Sequence, residues 1–101
     1  MSINRDEIAQ QLGFRREDID MLINMFCKNA AVSLEQMKQM ITDGNLNGIA
    51  DAAHAIKGSA GNLKLDSIYT LAYTVEMQAK STGNENFETL YLKLKDLIKT
   101  L

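Results

Sequence analysis

"IDMLINMFCKNAAVSLEQMKQMI", residues 19–41, repeats its apolar side chains every three or four positions: Ile19, Leu22, Ile23, Phe26, Ala30, Leu34, Met37 and Ile41. That is the period of one face of an α-helix, and the chain has no proline to interrupt it. "DGN" at 43–45 ends the run, and Asn45 suits the cap of a following helix because its carboxamide can accept from first-turn N–H groups. A second stripe follows in Leu46, Ile49, Ala50, Ala53, Ile56, Ala60 and Leu63. Ile68, Leu71, Ala72, Val75 and Ala79 form a third, with Asp66 as its cap. After the polar "STGNEN" at 81–86, Phe87, Leu90, Tyr91, Leu94, Leu97, Ile98 and Leu101 form a fourth. Upstream, a short segment ended by Gly13 has Ile8 and Leu12 as anchors and needs tertiary support to be helical.

No stretch alternates like a half-buried strand. Short connections between long amphipathic helices imply antiparallel neighbours. The expected fold is therefore all-α: an antiparallel up-down four-helix bundle with an additional short N-terminal helix. Helices are expected at about 4–12, 16–42, 46–62, 66–81 and 86–100, in one domain spanning 1–101. Met21, Met25 and Val32 make a second apolar strip on the first long helix, off the main stripe. Packing of the short N-terminal helix would explain it, and docking of a partner on adaptable methionines is the alternative.

Eleven basic and thirteen acidic residues give a net charge of −2, without the clustered basic excess of a nucleic-acid surface. No apolar run approaches bilayer length, and no basic-then-apolar signal opens the chain, so no membrane and a cytoplasmic location are expected. Cys27 is the only cysteine and His54 the only histidine, which excludes a disulfide within the chain and a cysteine–histidine zinc site. Cys27 follows Phe26 in the helical pattern and reads as a partly buried structural thiol.

The histidine lies in "AHAIKGSAGNL", residues 53–63, with two glycines in a segment otherwise patterned as helix. Each interior glycine costs a helix about 1 kcal/mol relative to alanine. At about 100° per residue His54 falls at the edge of its apolar stripe, on one flank with Asn47, Asp51, Gly58 and Gly61. Lys57 lies between that flank and the core stripe, where its stem can cover apolar surface while its ammonium reaches outward. A neutral imidazole is a good nucleophile near pH 7 and can take a phosphoryl group if a partner reaches it in line. Gly58 clears space beside the ring, Gly61 allows close approach of another surface, and Lys57 can offset the transferred charge. A half-exposed polar histidine, with glycines serving helix packing, is the plainer reading of the same residues.

His54, Lys57, Gly58, Ser59 and Ala60, followed by "GNL", resemble the core pattern of the histidine-containing phosphotransfer (HPt) family of phosphorelays. The resemblance continues through "TVE" at 74–76 and covers about residues 15–101. It implies that His54 accepts a phosphoryl group from a receiver-domain aspartate and passes it to another receiver. Lys57 would be the charge-stabilising lysine and Gly58 the access glycine. Glu76 matches a glutamate that can orient the histidine ring, although a solvent-facing carboxylate reads equally well. The implied partners are response-regulator receiver domains and a hybrid sensor histidine kinase. The chain itself is expected to be a monomer without metal or cofactor, Mg²⁺ being supplied by the receiver. No Gly-x-x-x-x-Gly-Lys loop occurs, so the chain is expected to be a carrier and not an enzyme. Two other functions fit the resemblance: an adaptor that docks a receiver without transfer, and a kinase-fed phosphotransfer domain of the chemotaxis type. Tyr73 stands where the latter often has a second histidine. Lys64 replaces a common family glycine, which implies either a strained residue in the turn or added positive charge near the docking surface.

Overall fold

Each apolar stripe becomes a helix with that stripe turned inward. The computed structural model describes residues 4–81 and 86–101, so most of the loop read at 81–86 lies outside the described residues. The helices are α1 (Arg5–Leu12), α2 (Arg16–Asp43), α3 (Leu46–Asn62), α4 (Asp66–Ser81) and α5 (Phe87–Lys99), and no strand occurs among the described residues. They form an all-helical bundle measuring 42 × 20 × 20 Å. Contacts run from α2 to α3, from α3 to α4, from α4 to α5 and from α5 back to α2, with α1 laid against α2. The α3–α4 pair shares the most extensive contact.

Ile19, Ile23, Phe26, Ala30, Leu34 and Met37 of α2 are buried, with Ile49, Ala53, Ile56 and Ala60 of α3 against them in one core. Ile68, Ala72, Val75 and Ala79 of α4 and Phe87, Tyr91, Leu94 and Ile98 of α5 complete it. Asn45 does cap α3, accepting from Gly48 N–H at 2.9 Å. Gly44 ends α2 at φ 68°, a left-handed conformation that a side chain would strain. Asp66 is not a cap but the first residue of α4, where its carboxylate meets the positive end of the helix dipole. Leu46, placed in the core stripe by its period, is 38% exposed as the first residue of α3.

Helix α1 buries Ile8 and Ala9 and is tied to α2 by Arg5–Asp20 at 2.9 Å and Arg16–Asp6 at 2.7 Å. Arg5 also donates to the Leu101 carbonyl. It does not cover the second apolar strip of α2: Met21, Met25 and Val32 are each more than half exposed. Counted at 100° per residue, these three lie on the opposite side of α2 from its buried stripe, so a helix packed near the core edge leaves them bare.

The turn between α3 and α4 is a Schellman motif. Leu65 N–H reaches back to the Ala60 carbonyl at 3.0 Å and Lys64 N–H to the Gly61 carbonyl at 3.2 Å. Leu65 is then fully buried, plugging the core from the turn. The left-handed position of the motif belongs to Lys64, at φ 57°. A Cβ is strained in that conformation, which is the first of the two readings that the departure from glycine left open. Lys64→Gly is expected to raise stability by about 1 kcal/mol, the scale of the left-handed penalty for a residue with a Cβ. Thermal unfolding would read this as a rise of about 4 °C or more in a domain of this size. An unchanged or lower Tm would mean the turn holds lysine without strain.

Candidate functional site

Four residues converge where α3 and α4 lie side by side. His54 and Lys57 come from consecutive turns of α3, and Glu76 and Lys80 from consecutive turns of α4. Glu76 is the centre. It is 2% exposed and is the buried charged residue among the described residues. Burying a carboxylate is costly unless it is paired, and here both oxygens are engaged. Oε1 accepts from Lys57 Nζ at 2.7 Å. Oε2 lies 2.8 Å from His54 Nδ1 and accepts from Lys80 Nζ at 3.2 Å. The Lys57 hydrogen bond, against the opposing effect of burial and with help from Lys80 and His54, holds the Glu76 carboxyl down at about 2. The same bond pushes the Lys57 ammonium up. Glu76 is thus a carboxylate at any physiological pH, so the facing Nδ1 carries a proton and donates it. The bare nitrogen of the neutral ring is then Nε2, on a side chain 66% exposed.

This geometry changes two readings of the sequence. Glu76 does not face solvent. Lys57 does not reach outward: its side chain is only 19% exposed, held between Glu76 and the Tyr73 ring, whose centroid is 5.2 Å from Nζ. Gly58 has nothing within 4 Å of where a Cβ would stand, so the flank beside His54 is open. Gly61 differs. A Cβ there would stand 3.2 Å from the Tyr69 ring, so the surface that approaches it closely belongs to α4 of the same chain. Tyr69, Tyr73 and Met77 are exposed at four-residue intervals along α4, Tyr69 and Tyr73 with ring centroids 6.4 Å apart. Tyr73 lies against Lys57 and Tyr69 against Gly61, so they give the α3–α4 face an apolar border. The helical stripes did not reveal it, because these positions lie off the buried face of α4.

The HPt-like motif does not include Lys80, although its spacing of four from Glu76 is the signal of a helical ion pair. Cys27, half-buried on α2, has its thiol pushed up by burial, consistent with a structural role. Among the described residues no group of three or more His, Cys, Asp or Glu side chains could hold a metal ion. None of the described helices is long and apolar enough to cross a membrane.

The carboxylate ties the site to the fold's acid stability. A carboxyl held below its ordinary 4.5, at about 2, stabilises the folded state above pH 4.5, and that contribution is lost as pH falls through 2. Denaturant unfolding between pH 6 and 2 is therefore expected to fall more steeply for the parent than for Glu76→Gln. Parallel curves would mean that Glu76 is not held as a buried anion.

The family model for the Hpt domain matches residues 21–101. No curated protein and no solved structure matches the chain. The matched region begins in the second turn of α2, leaves α1 outside, and takes in all four residues of the Glu76 cluster together with Gly58 and Gly61. It covers well over half of the sequence, and the chain belongs to the Hpt-domain family.

Proposed function

We propose that His54 Nε2 accepts a phosphoryl group from the aspartyl phosphate of a receiver domain and hands it to the aspartate of another. As an Hpt domain the chain is a phosphotransfer carrier of phosphorelay signalling, and domains of this family interact with receiver domains. The observation that carries the assignment to His54 is the 2.8 Å contact between its Nδ1 and a buried, anionic Glu76. In the transfer the aspartyl O–P bond breaks as the Nε2–P bond forms, and the bonding pair returns to the aspartate carboxylate. The ring keeps its Nδ1 proton against Glu76, and the positive charge it gains on phosphorylation faces that carboxylate. Lys57, the family's charge-stabilising lysine by position, keeps Glu76 ionised and adds positive charge to the site. Gly58 gives access to the ring. Gly61 seats Tyr69, so its part in docking is to set the apolar border of the approach. The Mg²⁺ for this chemistry would be held by the receiver, with a hybrid sensor histidine kinase upstream.

Several structural readings accompany this assignment. The chain acts as a single domain, its four long helices antiparallel and up-down with α1 as the additional element. It works as a monomeric carrier without catalytic turnover of its own, in the cytoplasm where receivers and kinase domains meet it. Receivers dock over Gly58 and the Tyr69–Tyr73–Met77 border, in a small interface suited to repeated association and release.

The direct test is incubation with a phosphorylated receiver domain and Mg²⁺, followed by detection of acid-labile, base-stable phosphate on this chain. Labelling within the lifetime of the receiver's phosphate is the expected result. Stable binding to a phosphorylated receiver with no label on this chain would instead make it an adaptor.

A further inference from the structure

Glu76 Oε2 is shared. The oxygen that faces His54 Nδ1 also accepts from Lys80, one turn further along α4. The two donors differ in what holds them. The imidazole sits on a largely exposed side chain of another helix, free to turn about two side-chain torsions. Lys80 stands on the same helix as Glu76 at i+4, the spacing at which side chains meet whatever the neighbouring helix does. Lys57 fixes the other oxygen. With one oxygen pinned by each lysine, the carboxylate plane is set before the ring arrives.

From this we infer that Lys80 is a positioning residue for His54. By binding Glu76 Oε2 independently of the imidazole, it fixes the acceptor that holds the Nδ1–H tautomer and so leaves Nε2 as the nucleophile. The inference rests on the phosphoryl-acceptor reading for its consequence in transfer, but not for its effect on the ring. Phosphoryl transfer demands the ring nitrogen in line with phosphorus. Held by Lys57 at one oxygen alone, the carboxylate could swing about that bond, offer Nδ1 a moving acceptor and let the other tautomer in. Lys80 leaves the step's balance unchanged, since the proton stays on Nδ1 and the lysine gives up none.

His54 is the only histidine, so its ring nitrogens give an unambiguous long-range ¹H–¹⁵N correlation in the uniformly labelled chain. The parent is expected to show predominantly the Nδ1–H tautomer. Lys80→Met is expected to move the population toward Nε2–H and to slow transfer from a phosphorylated receiver about threefold, the scale of a partly exposed ion pair. Lys80→Arg, which keeps the charge and donors, is expected to restore both. The side chain is 58% exposed, so neither variant disturbs the core. A tautomer ratio unchanged in Lys80→Met would overturn the inference, and so would an arginine variant no better than the methionine one. The tautomer is read on unphosphorylated protein, so it judges Lys80 even if no receiver phosphorylates the chain, whereas that outcome alone would count against the transfer reading.

Discussion

Replacing His54 by glutamine is expected to reduce phosphate incorporation from a phosphorylated receiver to background, a loss of more than about 1,000-fold, as for removal of a covalent nucleophile. The fold gives no reason for collateral damage. The His54 side chain is 66% exposed, and Glu76 keeps both lysines when the ring is gone. Surface changes of this kind usually alter stability by no more than about 0.5 kcal/mol. Circular dichroism and thermal unfolding of His54→Gln should therefore match the parent while labelling disappears. The bond chemistry gives a second check, because a histidine-type phosphoramidate in this chain can belong only to His54. Undiminished label in the variant would place the phosphoryl group on another residue and remove the role assigned to Nε2.

Gly58→Gln separates access from stability by moving them in opposite directions. No atom lies within 4 Å of the position a Cβ would take, and the residue is exposed inside α3, so glutamine meets nothing in the free protein. It also gains helix propensity, which predicts an increase in stability of about 0.7 kcal/mol. In the docked complex the added side chain stands one turn from His54, where a receiver must come close enough for in-line transfer. Displacement by about 1 Å can cost two orders of magnitude in such a reaction, so transfer should fall about 100-fold or more. A variant that is more stable and nearly inert would show that the glycine is there for approach. Transfer at the parental rate would mean that receivers reach Nε2 from another side.

The fold was legible because its helices are long and their stripes clean. In α2 the period of Ile19 to Met37 coincides with the buried face, since a 28-residue helix without proline gives sterics and burial only one register in which to agree. Leu65 escaped that reasoning. It lies in a turn, outside any helical period, and is buried only because the Schellman geometry folds it back under Ala60. Leu46 failed in the other direction, satisfying the period at the first position of a helix, where it is only partly covered. At the site, the motif spacing brought out His54, Lys57 and Gly58 because they share one helix. The bond from His54 to Glu76 joins residues 22 positions apart on two helices, and its formation depends on the relative rotation of α3 and α4, which no single-helix pattern encodes. The inward turn of Lys57 has the same origin, since its partners Glu76 and Tyr73 both come from α4.

The Schellman turn at Lys64 joins the two helices that carry the whole charge cluster, from His54 to Lys80. The reacting centre thus closes within a single helical hairpin, over a short loop of chain. Ordering so brief a loop costs little entropy, and local contacts of this type form early when a chain folds. Fraying of α1 or α5 would leave the centre assembled, whereas opening of the hairpin would dismantle it at once. In hydrogen exchange the amides of α3 and α4 would then report the lifetime of the competent state, and those of the terminal helices would not. The hairpin is the cassette in which the chemistry is stored, and the rest of the bundle is its frame.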